Sequence, residues 1–210
     1  MKPAVILVHG LYLNTYSTWF WQRHLTNAGF DAQSFGYATI RRTLAENALA
    51  LAGLIKNSPN QEIHCVGHSL GGLVILHMLR DFPDSRIKRV VLAGPPYQDA
   101  HVPVRLARSR VGRFIMGKSM LDWVAHGSVA PAERLQVGVI AGDTPVGLGL
   151  LVAPSIPTPH DGTVAVVETT VPGMADRIVL PVTHTQMLFS ALVMKQMECF
   201  LRNGQFEHRA

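Results

Sequence analysis

The sequence predicts an α/β protein: a mostly parallel central sheet of about six strands with helices on both faces. Three observations carry this. Short apolar runs alternate with longer stretches of helical spacing, the pattern of successive βαβ units. Hydrophobic residues make up 48% of the 210-residue chain and charged residues only 16%, which suits strands buried on both faces. Finally, Gly67-His68-Ser69-Leu70-Gly71 lies between an apolar run (Ile63, Cys65, Val66) and a helix-like one (Leu73, Val74, His77, Met78). Strand, sharp turn and helix therefore follow one another there.

The elements can be justified in order. Strands are predicted at 3–8, 31–36, 62–66, 87–93, 136–141 and 177–181. A helix over 18–28 ends at Gly29, a plausible C-terminal cap. A second over 43–56 carries Leu44, Leu51, Leu54 and Ile55 on one side. A third over 70–81 stops before Pro83. The last, over 185–202, spaces Leu188, Leu192, Met197 and Phe200 helically and stops at Asn203-Gly204. Segments 95–133 and 142–162 interrupt the alternation. Both leave the C-terminal ends of strands, where open parallel sheets bind ligands. The expected organisation is one domain over 1–210, with 95–133 as a short cap or flap.

Composition narrows the function. No apolar run is long enough to span a membrane. Met1-Lys2-Pro3 leads into a short apolar stretch without a small-residue cleavage site, so it reads as a first strand, and a cytoplasmic protein is expected. Two cysteines make no disulfide framework: Cys65 falls in a strand as a buried thiol, and Cys199 in the last helix. The ten histidines are scattered, with no metal-ligand spacing among them. Net charge is +5, but it is local. Arg105, Arg108, Arg110, Arg113 and Lys118 occur without an acid between 101 and 118, leaving 14 basic against 14 acidic residues elsewhere. That is not the spread footprint of a nucleic-acid binder.

The turn at 67–71 predicts a nucleophile. Gly67 and Gly71 leave room for a tight turn that lifts the Ser69 hydroxyl above the sheet edge. The Leu70 N–H is left free at a helix start, where it can hold an oxyanion. The base is expected late in the chain, and His184, after the strand at 177–181, fits; His160 is the rival. For the acid, Asp161 in His160-Asp161-Gly162-Thr163-Val164 is favoured over Asp143, since Gly162 lets the chain turn sharply. Asp143 also reads as a turn residue leaving its strand. Asp176 and Glu168 are weaker choices. The His9-Gly10-Leu11 strand end brings the Leu11 N–H to face that of Leu70. Tyr12 and His68 are the candidate substrate contacts.

Taken together, Val8-His9-Gly10, Val66-Gly67-His68-Ser69-Leu70-Gly71-Gly72, Asp161-Gly162-Thr163-Val164 and Thr183-His184-Thr185 resemble the α/β-hydrolase superfamily, close to its lipase and esterase branch. The likeness covers nearly the whole chain in the right order. The leading hairpin of larger members is expected to be absent, and 95–133 is short for a full cap domain. The resemblance implies a minimal α/β-hydrolase fold. It also implies a serine hydrolase acting on short- or medium-chain or lipid-like carboxylic esters through Ser69, His184 and Asp161. Such an enzyme needs no metal or organic cofactor. A thioesterase or acyltransferase with the same triad, its basic stretch meeting coenzyme A phosphates, is the alternative. A non-catalytic binding protein on the same scaffold is a third.

Other segments bear on specificity. The Gly-rich apolar stretch at 147–152 is either an acyl-pocket wall or a loop folded onto the core. Trp19-Phe20-Trp21 frames the entrance with Leu11 and Tyr12, or packs a helix on the sheet. The stretch around 105–118 spaces Val104, Ala107, Val111, Phe114 and Ile115 on one side, with the arginines largely opposite. It reads as a solvated helix covering the site, or as a flap that touches an anionic surface.

Overall fold

The computed structural model describes residues 2–98, 100–128, 130–131, 135–147, 149–152 and 155–208. The expected α/β fold is observed. Strands β1 (Ala4–Val8), β2 (Asp31–Phe35), β3 (Ile63–His68), β4 (Ile87–Ala93), β5 (Gln136–Gly142) and β6 (Asp176–Leu180) form one sheet in the order β2-β1-β3-β4-β5-β6. Every neighbouring pair is parallel. The register sets Val8 beside Gly67 and His68 beside Ala93, so the loops after β1, β3 and β4 leave the sheet side by side.

Both faces are covered, as parallel strands require. Ala4, Ile6 and Val8 of β1 point into one core, and Val5 and Leu7 into the other. Helices α2 (Leu44–Lys56), α3 (Leu70–Asp81) and α5 (Arg110–His126) pack in the first; α1 (Trp19–Asn27) and α7 (Ala191–Asn203) pack in the second. Local chemistry fixes the ends. Thr43 and Glu46 form a capping box at the start of α2. Gly204 ends α7 in the left-handed conformation, φ 76°.

Two expectations need correction. The helix expected over 185–202 is broken. Thr183 and Gln186 exchange backbone-to-side-chain hydrogen bonds around a 3-10 turn at Gln186–Leu188, and Ser190 caps a new start for α7. His184 is thereby left on a loop. The basic stretch is not one helix with a buried side at Val104, Val111 and Phe114. It forms α4 (His101–Leu106) and then α5, whose buried face is Gly112, Met116, Met120 and Trp123. Gly112 packs so closely on α4 that a Cβ would lie 2.1 Å from the Leu106 carbonyl oxygen, which turns Val111 and Phe114 outward. Gly117 (φ 64°, ψ 179°) breaks α5 internally. There the Lys118 N–H donates to the Ile40 carbonyl (2.9 Å), and the Tyr12 hydroxyl donates to the Ile115 carbonyl.

Of the remaining segments, 149–152 forms a short helix α6 (Gly149–Val152), and Leu150 packs beside Val102, Ile156 and Ala165. Leu148, Pro154 and Glu133 lie outside the described residues. Trp21 is fully buried and donates its indole N–H to the Met187 carbonyl (2.9 Å), while Trp19 and Phe20 are half exposed. Cys65 is buried, and burial pushes its thiol up to about 12. No described helix is long and apolar enough to cross a membrane.

Candidate active site

The turn between β3 and α3 holds Ser69 at φ 52°, ψ −121°, a conformation that side chains rarely adopt. Such strain persists only where the surroundings over-determine it. Here the Ser69 N–H donates to the Ala93 carbonyl and its own carbonyl accepts from Gly72 N–H, both 2.9 Å. The glycines around it are demanded by space. A Cβ at Gly67 would lie 2.6 Å from Gly72 N, and one at Gly71 would lie 2.2 Å from the Val8 carbonyl oxygen. Close packing of α3 on β1 therefore leaves no room for a methyl group. We expect Gly71→Ala to lower unfolding stability by about 1–3 kcal/mol or more, read as a reduced urea midpoint.

Next to this turn is the end of β1. The Tyr37 hydroxyl donates to the His9 carbonyl (2.7 Å), and its ring stacks on His9 at 4.5 Å between centroids. A Cβ at Gly10 would lie 2.8 Å from His68 Nδ1 and 3.4 Å from Ser69 Cβ, so the two strand ends are in direct contact. Leu11 follows at once, half-buried, and Leu70 opens α3, fully buried. Tyr12, at φ 60°, is exposed.

Asp161 and His184 meet across the loops flanking β6. The His184 Nδ1–H donates to Asp161 Oδ2 at 2.7 Å, and the His184 backbone N–H donates to the Asp161 carbonyl at 2.9 Å. Asp161 is 1% exposed, and its other oxygen accepts from the N–H groups of Thr163 (2.9 Å) and Val164 (2.7 Å). Burial pushes this carboxyl up. The neighbouring His184 and the three hydrogen bonds outweigh burial and hold it below the usual carboxylate range. Gly162, at φ 91°, makes the turn.

The imidazole lies over Gly94, where a Cβ would sit 3.1 Å from both Cε1 and Nδ1. It also lies 4.8 Å, between centroids, from the ring of His68, the residue before Ser69. Asp161 and His184 are thus brought together beyond the C-terminal ends of β4 and β5, and Ser69 follows β3; among the described residues no hydrogen bond joins Ser69 to His184, and the link between them runs through His68. The rivals lie otherwise. Asp143 is exposed, His160 Nδ1 accepts from the Gly162 N–H (3.1 Å), and Asp176 accepts from Phe206 N–H (2.7 Å).

His68, a candidate substrate contact, lies beneath the site. It is 3% exposed, and its Nε2–H donates to the His184 backbone carbonyl at 3.0 Å. Burial, reinforced by nearby His184, pushes it down to about 3; burial likewise pushes His64 down to about 4. In the unfolded chain both histidines take up protons near pH 6.5. Below about that pH the unfolded state binds protons that the native state refuses, so stability falls as pH drops toward 4 and 3. Urea unfolding at pH 7, 5.5 and 4.5 should show a loss on the order of a few kcal/mol over this span.

Glu168 matters more than its sequence context indicates. It is 3% exposed. One carboxylate oxygen accepts from the His101 N–H (2.8 Å) and contacts its Nδ1 (2.5 Å); the other accepts from the Ala165 N–H (2.9 Å). It joins the start of α4 to the loop that carries Asp161. Only its spacing from Ala165 hinted at this. Among the described residues no cluster of His, Cys, Asp and Glu is arranged to hold a metal ion.

The model of the alpha/beta hydrolase fold family matches residues 3–118, and the chain belongs to that family. No curated protein matches it. Among solved structures it is similar to the mature form of a Bacillus licheniformis lipase, at 16% identity and TM-score 0.76, covering 97% of this chain and 92% of that one. It is similar to a thermophilic esterase from Thermogutta terrifontis, at 17% identity and TM-score 0.68, covering 97% and 91%. It is also similar to the phospholipase PlaB from Legionella pneumophila, at 14% identity and TM-score 0.71, covering 97% of this chain and 56% of that one. At these identities the likeness is one of fold.

Proposed function

We propose that the protein is a serine hydrolase of carboxylic esters, with Ser69 as nucleophile, His184 as general base and Asp161 as the group that orients it. The observation that carries this reading is the buried Asp161 fastened to His184 Nδ1 at 2.7 Å, with the His184 ring packed on His68, the residue before a serine held in a strained turn. That hydrogen bond puts the Nδ1 proton toward Asp161 and leaves Nε2 free to take the Ser69 proton. The alkoxide then attacks the ester carbonyl. The N–H groups of Leu11 and Leu70 hold the resulting oxyanion, each worth roughly 10²–10³ in turnover. His184 returns the proton to the departing alcohol, and water releases the acid from the acyl-enzyme. The names of the similar structures, a lipase, an esterase and a phospholipase, favour an ester as substrate. The test combines a chromogenic ester panel of increasing acyl length with a fluorophosphonate probe. Turnover and labelling that both vanish on Ser69→Ala support the reading; a protein that neither labels nor hydrolyses any ester ends it.

A further inference from the structure

The outward turn of α5 leaves an unusual surface. Val111 is 70% exposed, Phe114 87% and Ile115 42%, one helical turn of apolar side chains facing solvent just before the break at Gly117. Exposed basic residues surround them: Arg108, Arg110 and Arg113 on the same segment, with Arg41 and Arg42 on the loop that Lys118 bonds through Ile40. Of the nearby carboxylates Glu46 also faces Arg42 and Lys118, while the side toward Arg108, Arg110 and Arg113 carries no acid between 101 and 118. Asp122 accepts from the Leu44 N–H, Glu46 closes the capping box of α2, and Glu168 holds His101. The apolar tips are also rigidly placed. Gly112 sits against Leu106, and the Tyr12 hydroxyl pins the Ile115 carbonyl, so the strip cannot roll inward without breaking both contacts.

We propose that this strip, Val111-Phe114-Ile115 with its ring of arginines, is a docking surface for an anionic phospholipid leaflet. Apolar side chains that project between guanidinium groups match the two layers of a membrane interface: acyl boundary below, negatively charged headgroups around. A nucleic acid would use the charge but offers nothing to an exposed valine and isoleucine. Because Tyr12 joins the strip to the residues after Leu11, a leaflet bound here lies next to the candidate active site. The docking does not depend on the catalytic reading.

Vesicle co-sedimentation of the whole protein tests this. The probes are phosphatidylcholine vesicles with and without about one third phosphatidylserine, at low and at physiological salt. We expect binding to the anionic vesicles, weakened by salt, and little to the neutral ones. Arg110→Gln/Arg113→Gln and Val111→Ser/Phe114→Ser should each weaken it on the order of tenfold or more. Lys56→Gln/Lys88→Gln, which removes the same charge from elsewhere, should not. Circular dichroism checks that each variant is folded, and Ser69→Ala should bind like the parent protein. Equal binding to both vesicle types overturns the proposal. So does full binding by the Val111/Phe114 variant, which would mark a purely electrostatic contact such as a nucleic acid or acidic protein would also make. An equal loss in the Lys56/Lys88 variant would trace the effect to net charge and overturn it as well.

Discussion

Replacing Ser69 with alanine should cut ester turnover by on the order of 10⁴–10⁶-fold while the protein stays folded. Alanine deletes only the hydroxyl, so the hydrogen bonds that hold the turn, Ser69 N–H to Ala93 and Ser69 carbonyl to Gly72, survive the change. Binding of substrate survives with them, and the loss should appear in kcat with KM little altered. Alanine still has to adopt φ 52°, as serine does, so the thermal midpoint should move by no more than a few degrees. A variant that retains a hundredth of the parent turnover would show that another group attacks the ester. Fluorophosphonate labelling followed by peptide mapping gives the same answer without kinetics: the adduct belongs on Ser69.

Asp161→Asn should come next in size, with turnover falling on the order of 10⁴-fold. The parent carboxylate only accepts hydrogen bonds, and all its contacts are donors: His184 Nδ1–H, Thr163 N–H and Val164 N–H. An amide places one NH₂ among them. If its oxygen keeps the two backbone amides, the NH₂ meets Nδ1 and forces the proton onto Nε2, the atom that must take the proton from Ser69. The imidazole then stays in place but in the wrong tautomer. The same change at Asp143, which is exposed, should leave turnover within a few-fold of the parent. Steady-state kinetics of the two variants side by side decides which acid serves His184; a large loss at Asp143 with none at Asp161 reverses the assignment.

Legibility in the sequence followed locality. The six strands are recognisable because each is a short apolar run between turns, and their ends agree with the structure to within about two residues. The turns of the candidate site were readable where they depend on short motifs. Gly67 and Gly71 announce the tight turn at Ser69, and Gly162 announces the turn that carries Asp161 toward His184. What escaped depends on contacts between distant residues. The apolar spacing of Val111, Phe114 and Ile115 has the period of a buried helix face, yet Gly112 and its approach to Leu106 turn that face outward. Gly117 breaks α5 because Ile40, far back in the chain, takes the Lys118 amide. The burial of His68 and its bond to the His184 carbonyl likewise come from a residue far along the chain. Glu168 reads only as a weak candidate for the acid until α4 folds over it.

That last contact limits how this scaffold can be rebuilt. One buried carboxylate, Glu168, serves both the first turn of α4 and the loop of Asp161, so neither piece is a free-standing module. A transplanted cap that offers no donors at position 101 would leave one buried oxygen of Glu168 unpaired, a defect worth about 1–3 kcal/mol. The other oxygen of Glu168 holds the Ala165 amide, four residues from the carboxylate that bonds His184. Grafts that broaden substrate range while sparing the reaction centre must therefore carry the residue pair 101 and 168 across together.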